Sequence, residues 1–323
     1  MSRLSDFNRR NIVVCLVYYF WEKFFLPKNL NIVQNYDEVA VVHNGDLGDL
    51  VIILSVLRIL KSHTNKPIIL YTKKENSVLR NIIPEYIEPK FQDLKGGKTS
   101  EQVLDLKRHR PYSRLVFITH RFNPSILHYI LKLQNAEIHC YKHLFGAVNV
   151  LYGKYKKYER DTEIKSICRI FKYRFPDMPL LDYVPLEECY TGEVSKKSGF
   201  GIIHPFSRER SKWMKDTTIE KVLMANDYPY LLVGNGQSEE QYALKIIEEL
   251  PDLLRKRVVN RVSQLNIEQL LNHIREAPAV HCTDSFVCHL AATFSDEVYL
   301  YVNSLKNQSF FPSSNNVRII YEA

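Results

Sequence analysis

Short, continuous apolar runs alternate along this chain with segments whose apolar residues recur at helical spacing. Glu38-Val-Ala-Val-Val-His43, Pro67-Ile-Ile-Leu-Tyr-Thr72, Leu115-Val-Phe-Ile-Thr119 and Glu137-Ile-His-Cys-Tyr141 are runs of the first kind. Unbroken rather than alternating hydrophobicity marks a strand covered on both faces, as in a parallel sheet. Between the first two, Ile53, Leu54, Leu57 and Leu60 form a helical stripe within 50–60, with Arg58 and Lys61 near its end, where the helix dipole favours cations. Further helices are expected around 100–108 and 125–133, with a flexible loop at Lys95-Gly-Gly-Lys98. Ile164, Ile167, Cys168, Phe171 and Phe175 share one helical face, and a dense basic run from Lys154 to Arg174 lies along the other. That basic face reads either as solvated surface or as contact for an anionic acceptor or a membrane.

Pro176, Pro179, Pro185 and the irregular stretch to Ser198 predict a linker. Beyond it the alternation restarts, with strands at 199–204, 230–234, 257–262, 279–282, 298–302 and 317–321 and helices at 218–226, 238–250, 267–274 and 289–294. The organisation expected is an N-terminal extension (1–36), one α/β domain (37–185) and a second (186–323), both Rossmann-like with largely parallel sheets and a cleft between them. In the extension, Ile12-Val-Val-Cys-Leu-Val-Tyr-Tyr-Phe-Trp21 is followed by Glu22 and Lys23. It is about half the apolar length of a spanning helix, and no small-residue cleavage site follows it. An aromatic-rich helix over 5–26, packed on the protein or lying in a lipid interface, is the expectation.

Charge narrows the partners. The formal net charge is +8, which favours nucleotide phosphates, an anionic glycolipid or a membrane surface; no nucleic-acid motif is present. The six cysteines include no C-x-x-C pair, so reduced cytosolic thiols are expected, and no metal site.

Two turns carry candidate chemistry. Asn44-Gly-Asp-Leu-Gly-Asp49 joins the first strand to its helix, at the sheet edge where open α/β folds bind ligands. It is neither a dinucleotide fingerprint nor a Walker loop, which disfavours a nicotinamide enzyme or a P-loop kinase. Thr283, Asp284 and Ser285 stand between strand 279–282 and the helical His289-Leu-Ala-Ala-Thr-Phe294. A helix opening there presents backbone N–H groups to an anion, while Asp284 suits sugar or ribose hydroxyls beside a phosphate. A capped loop with a core-facing His289 accounts for the same residues.

Four segments, in order, resemble the bacterial heptosyltransferases, the family 9 glycosyltransferases of lipopolysaccharide core synthesis. They are Gly45-Asp-Leu-Gly-Asp-Leu50 running into Ser55–Lys61; Ile203-His-Pro-Phe-Ser207 with Lys212 and Trp213; Leu232-Val-Gly-Asn-Gly236 with Glu239 and Glu240; and Thr283–Ser285 with His289–Ala292. The resemblance implies a GT-B fold, acceptor on the first domain and nucleotide sugar on the second, with no metal or other cofactor. It implies Asp49 as catalytic base and Lys212 as the cation on the leaving diphosphate. Asn44, Asp46 and Gly48 would lie on the acceptor side. Ser207, Arg210, Glu239, Glu240, Thr283, Asp284, Ser285 and His289 would hold the donor. ADP-heptose is the donor and a lipopolysaccharide or other anionic cell-surface glycan the acceptor that it implies, at the cytoplasmic face of the inner membrane. Asp49, or Asp46, could equally serve only as a helix cap. The chain departs from the pattern at Ser211, where the lysine usually stands, at Phe286, usually Gly, and at Ser55, usually Pro. A sugar-nucleotide epimerase of the same architecture and a non-catalytic nucleotide-sugar or glycan-binding protein are the alternatives.

Overall fold

The computed structural model describes residues 34–92, 113–119, 136–140, 162–181, 199–304, 311–312 and 314–322. The helices expected at 5–26, 100–108 and 125–133, the glycine loop at 95–98 and most of the linker lie outside them. The chain divides into two compact units, Met1–Asp46 with Val56–Asp161 and Lys165–Leu180, and Leu47–Ser55 with Thr162–Ile164 and Leu181–Ala323.

In the first unit, β1 (Glu38–His43), β2 (Ile68–Lys73), β3 (Ile87–Gln92), β4 (Arg114–Ile118) and β5 (Ala136–Cys140) form a sheet in the order β3-β2-β1-β4-β5. Every pairing is parallel. β1 is central, which is why Val39 to Val42 are all apolar and buried. β3 was not expected from its sequence. Ile87-Glu-Pro-Lys-Phe-Gln92 carries charges and a proline that an edge strand tolerates and a central one does not. From Leu50 to Leu57 helix α1 (Leu47–His63) is buried on every side. It therefore carries apolar residues all round rather than a single stripe, and Ser55 satisfies its hydroxyl on Val51 O at 3.2 Å. Phe171 of α2 (Glu163–Lys172) stacks on Phe117 of β4, with ring centroids 4.1 Å apart.

In the second unit, β6 (Gly201–His204), β7 (Tyr230–Leu232), β8 (Val258–Asn260), β9 (Val280–Thr283), β10 (Val298–Val302) and β11 (Val317–Tyr321) run in the order β11-β10-β9-β6-β7-β8, again all parallel. Helices α3 (Asp216–Ala225), α4 (Gln237–Glu249), α5 (Asp252–Arg255), α6 (Ile267–Glu276) and α7 (Phe286–Phe294) connect them. The α3 and α4 faces Ile219, Val222, Leu223, Ala243 and Ile246 close on Ile203, Phe206, Tyr230 and Leu232 as one core. Asn266 and Gln269 form a reciprocal capping box that starts α6. His281 on β9 lies flat on Tyr299 of β10, 4.6 Å between centroids, and its two nitrogens meet Tyr301 OH at 3.1 Å and Tyr230 OH at 3.5 Å. Burial without a charged partner lowers its pKa to about 4, so the ring is neutral at physiological pH.

Candidate functional site

Strand order locates the site. In the second sheet the chain builds outward from β6 through β7 and β8, then returns to place β9 on the other flank of β6. The carboxyl ends of β6 and β9 are thus the topological switch point, where open α/β sheets receive ligands. Ser207 follows the first strand and Thr283–Ser285 ends the second, so two segments about 80 residues apart in sequence become adjacent.

Side chains knit them together. Thr283, fully buried, donates its hydroxyl to Phe206 O at 2.7 Å. Ser207 donates to Asp284 O at 3.0 Å. Lys212, at the end of a short 3-10 turn, reaches Asp284 Oδ2 at 3.0 Å, with Glu209 Oε1 at 3.9 Å. Trp213 donates its indole N–H to Ser207 O at 2.7 Å and lies under the exposed guanidinium of Arg210, 5.3 Å from the ring centroid. Lys212 and Arg210 are therefore anchored beside the turn even though Ser211 interrupts the family spacing. The hydroxyls of Thr283 and Ser207 turned out to brace the loops on each other.

Helix α7 opens at Phe286, directly after the Thr283–Ser285 turn where it is expected to begin. Ser285 occupies the N-cap position in extended conformation but makes no side-chain cap bond. Its hydroxyl instead lies 3.3 Å from His204 Nδ1. Cys288 N–H donates to Ser285 O at 3.1 Å, but the first N–H groups of the helix receive no side-chain cap from Ser285, the condition under which a helix end attracts an anion. His204, whose pKa burial lowers to about 4, is a site neighbour that the sequence placed at a strand end and within the Ile203–Ser207 segment, without a role of its own.

The Gly234–Gly236 turn adds a carboxylate. Glu239, in the first turn of α4, accepts the Asn235 N–H at 2.7 Å. A Cβ on Gly234 would sit 2.6 Å from Glu239 Oε2 and 2.5 Å from Phe206 Cδ2, so only glycine lets the carboxylate this close. Burial raises the pKa of Glu239, and the Asn235 N–H bond opposes that shift. Glu240 is exposed. Of the two expected glutamates, Glu239 is the one directed at the turn.

Residues 47–55 belong to this same unit. A Cβ on Gly48 would fall 2.9 Å from His289 Cδ2 and 3.7 Å from Phe286 Cα, so the start of α1 lies against the HLAA helix. Burial lowers the pKa of His289, and Asp284 and Asp49 both oppose that shift electrostatically. Both carboxylates therefore favour the charged form of the imidazole. Asp49 is half-buried in the first turn of α1. Asn44 is half-buried, whereas Asp46 is exposed and ion-paired with Lys73 at 2.6 Å. Among the described residues no cluster of three or more His, Cys, Asp or Glu is arranged to hold a metal. No helix among them is long and apolar enough to cross a membrane.

Two parallel α/β units with these strand orders make a GT-B fold. The chain is similar to Escherichia coli ADP-heptose lipopolysaccharide heptosyltransferase II, at 14% identity over 88% of this chain and 90% of that one, with a TM-score of 0.67. A family 9 glycosyl transferase from Veillonella parvula matches over 91% of this chain and 88% of its own at 13% identity and TM-score 0.69. The E. coli heptosyltransferase WaaC, solved with ADP, matches over 88% and 93% at 10% identity and TM-score 0.68. No family model and no curated protein matches the sequence.

Proposed function

We propose that this protein is an inverting glycosyltransferase that moves a sugar from a nucleotide-diphospho-sugar to an anionic cell-surface glycan or glycolipid. The observation that carries the proposal is His289, buried against Gly48 and acted on electrostatically by both Asp49 and Asp284. That arrangement brings a candidate base and a candidate donor cradle to one helix.

Asp49 takes the proton of the acceptor hydroxyl as that oxygen attacks the anomeric carbon from the face opposite the leaving group. The bond from that carbon to the diphosphate oxygen breaks, its electron pair leaves on the nucleoside diphosphate, and configuration inverts. Lys212 and the N–H groups opening α7 meet the charge that develops there; Arg210 adds a second cation. Lys212 leaves Asp284 for the diphosphate when donor binds, and Asp284 turns to sugar hydroxyls. Glu239 holds the ribose. Asn44, Asp46 and Gly48 border the acceptor. The reaction draws its cation from lysine and requires no metal.

The likeness to heptosyltransferases makes ADP-heptose the first donor to try, and Phe286 makes a different sugar the second. The net charge of +8 suits an anionic acceptor and work at the cytoplasmic face of the inner membrane.

Thermal-shift titration against ADP, UDP, GDP, CMP and their sugars tests the donor class, since a ligand that binds only the folded form raises stability with the logarithm of its concentration. ADP-sugars are expected to stabilise most, with turnover insensitive to chelator. Release of nucleotide with no acceptor dependence, or binding with no turnover alongside glycan extracts, would overturn the transferase reading.

A further inference from the structure

Asn76 is a buried amide in a region where the sequence carries no helix or strand signal. It sits in the 3-10 segment Lys74–Ile82 and is only 1% exposed. Its Nδ2 donates to Gly45 O at 3.1 Å and to Thr72 Oγ1 at 2.8 Å. Three residues earlier, at the end of β2, Lys73 holds Asp46 Oδ1 at 2.6 Å with its own side chain 12% exposed. Neighbouring residues of one segment thus grip consecutive residues of the loop that leads from β1 into the helix bearing Asp49. Burying an amide costs free energy unless its hydrogen bonds are made, and the Nδ2 contacts of Asn76 serve this loop and the strand end beside it. The backbone carbonyl of Gly45 cannot move without breaking a buried bond, and Asp46 cannot move without leaving its cation.

We propose that Asn76 and Lys73 are positioning residues for the transfer reaction, setting the Asn44–Asp46 loop so that Asp49 meets the acceptor hydroxyl in line with the anomeric carbon. The inference rests on the role of Asp49 given above. Asn76 and Lys73 touch neither substrate; they act through the loop.

The test is a double-mutant cycle on nucleotide release from the nucleotide sugar selected by thermal shift. Asn76→Ala is expected to lower kcat by roughly 10- to 100-fold, the scale of an ångström-level misplacement, with donor affinity within about twofold of wild type because Asn76 lies far in sequence from the donor turns. In the Asp49→Asn background the same substitution is expected to change the residual rate by less than about twofold, because residues that act through one group are not additive. Equal losses in both backgrounds, or no loss in the wild-type background, would overturn the inference. If Asn76→Ala does not fold, Lys73→Met is read in the same cycle, with Lys73→Arg expected to restore the rate by restoring the ion pair. A wild-type rate that survives Asp49→Asn overturns the functional reading itself and is recognised before Asn76 is touched.

Discussion

Lys212 Nζ lies 3.0 Å from Asp284 Oδ2. The two side chains are 24% and 19% exposed, so the pair is partly sheltered from solvent screening. In the proposed reaction an incoming diphosphate must compete with Asp284 for the cation. Lys212→Met is therefore expected to weaken nucleoside-diphosphate binding by about 10-fold or more, as loss of a charge-assisted contact does. Asp284→Asn is expected to do the reverse, tightening binding of the bare diphosphate while slowing turnover of the nucleotide sugar. Calorimetric titration with ADP, alongside turnover, reads both signs.

Asp49→Asn keeps the shape of the α1 start and removes the proposed base. Turnover is expected to fall by about 10²- to 10⁴-fold, the usual contribution of a positioned general base, while donor affinity stays close to wild type. Steady-state kinetics with parallel equilibrium binding separates the two.

Gly48→Ala adds a methyl group 2.9 Å from His289 Cδ2 and 3.7 Å from Phe286 Cα. The imidazole is buried and cannot swing into solvent, so the substitution should destabilise the fold by about 1–3 kcal/mol, the range for overpacking. Denaturant unfolding measures this. Gly236→Ala meets no atom within 4 Å, but its φ of 120° is disfavoured for a residue with a Cβ, so it too should lower stability, through backbone strain.

Acid should weaken the second unit before its carboxylates titrate fully. His281 and His204 have pKa values lowered from 6.5 to about 4 by burial. Below pH 6.5 the unfolded chain takes up protons at these positions and the native state does not. Stability is thus complete above about 6.5 and declines as pH falls toward 4, by about 1.4 kcal/mol per pH unit for each ring. Thermal melting across that window should show the decline, and His281→Gln, which stays neutral, should remove one ring's share.

Much of the second unit was readable in its sequence because its strands are short, apolar and bounded by turn residues. β11 and β10 fall where their apolar runs predict, and β9 differs by one residue. The misreadings have physical causes. β3 is an edge strand, so the sheet demanded neither continuous hydrophobicity nor an N–H from Pro89. Within the site, Lys212, Asp284 and Ser207 were legible as residue types beside turns. The contacts of His204, Lys73 and Asn76 were not, because only the parallel crossovers bring their partners into range.

The pairing of β6 with β9 also bears on biosynthesis. His204 and Cys282 are partners across that ladder, yet nearly eighty residues must leave the ribosome between them. On the proposed function, donor affinity would not emerge with the first strand of this unit but only once β9 docks. Nucleotide binding by stalled nascent chains of increasing length would therefore switch on abruptly after β9 and α7 have cleared the exit tunnel, making the ligand a reporter of completed folding.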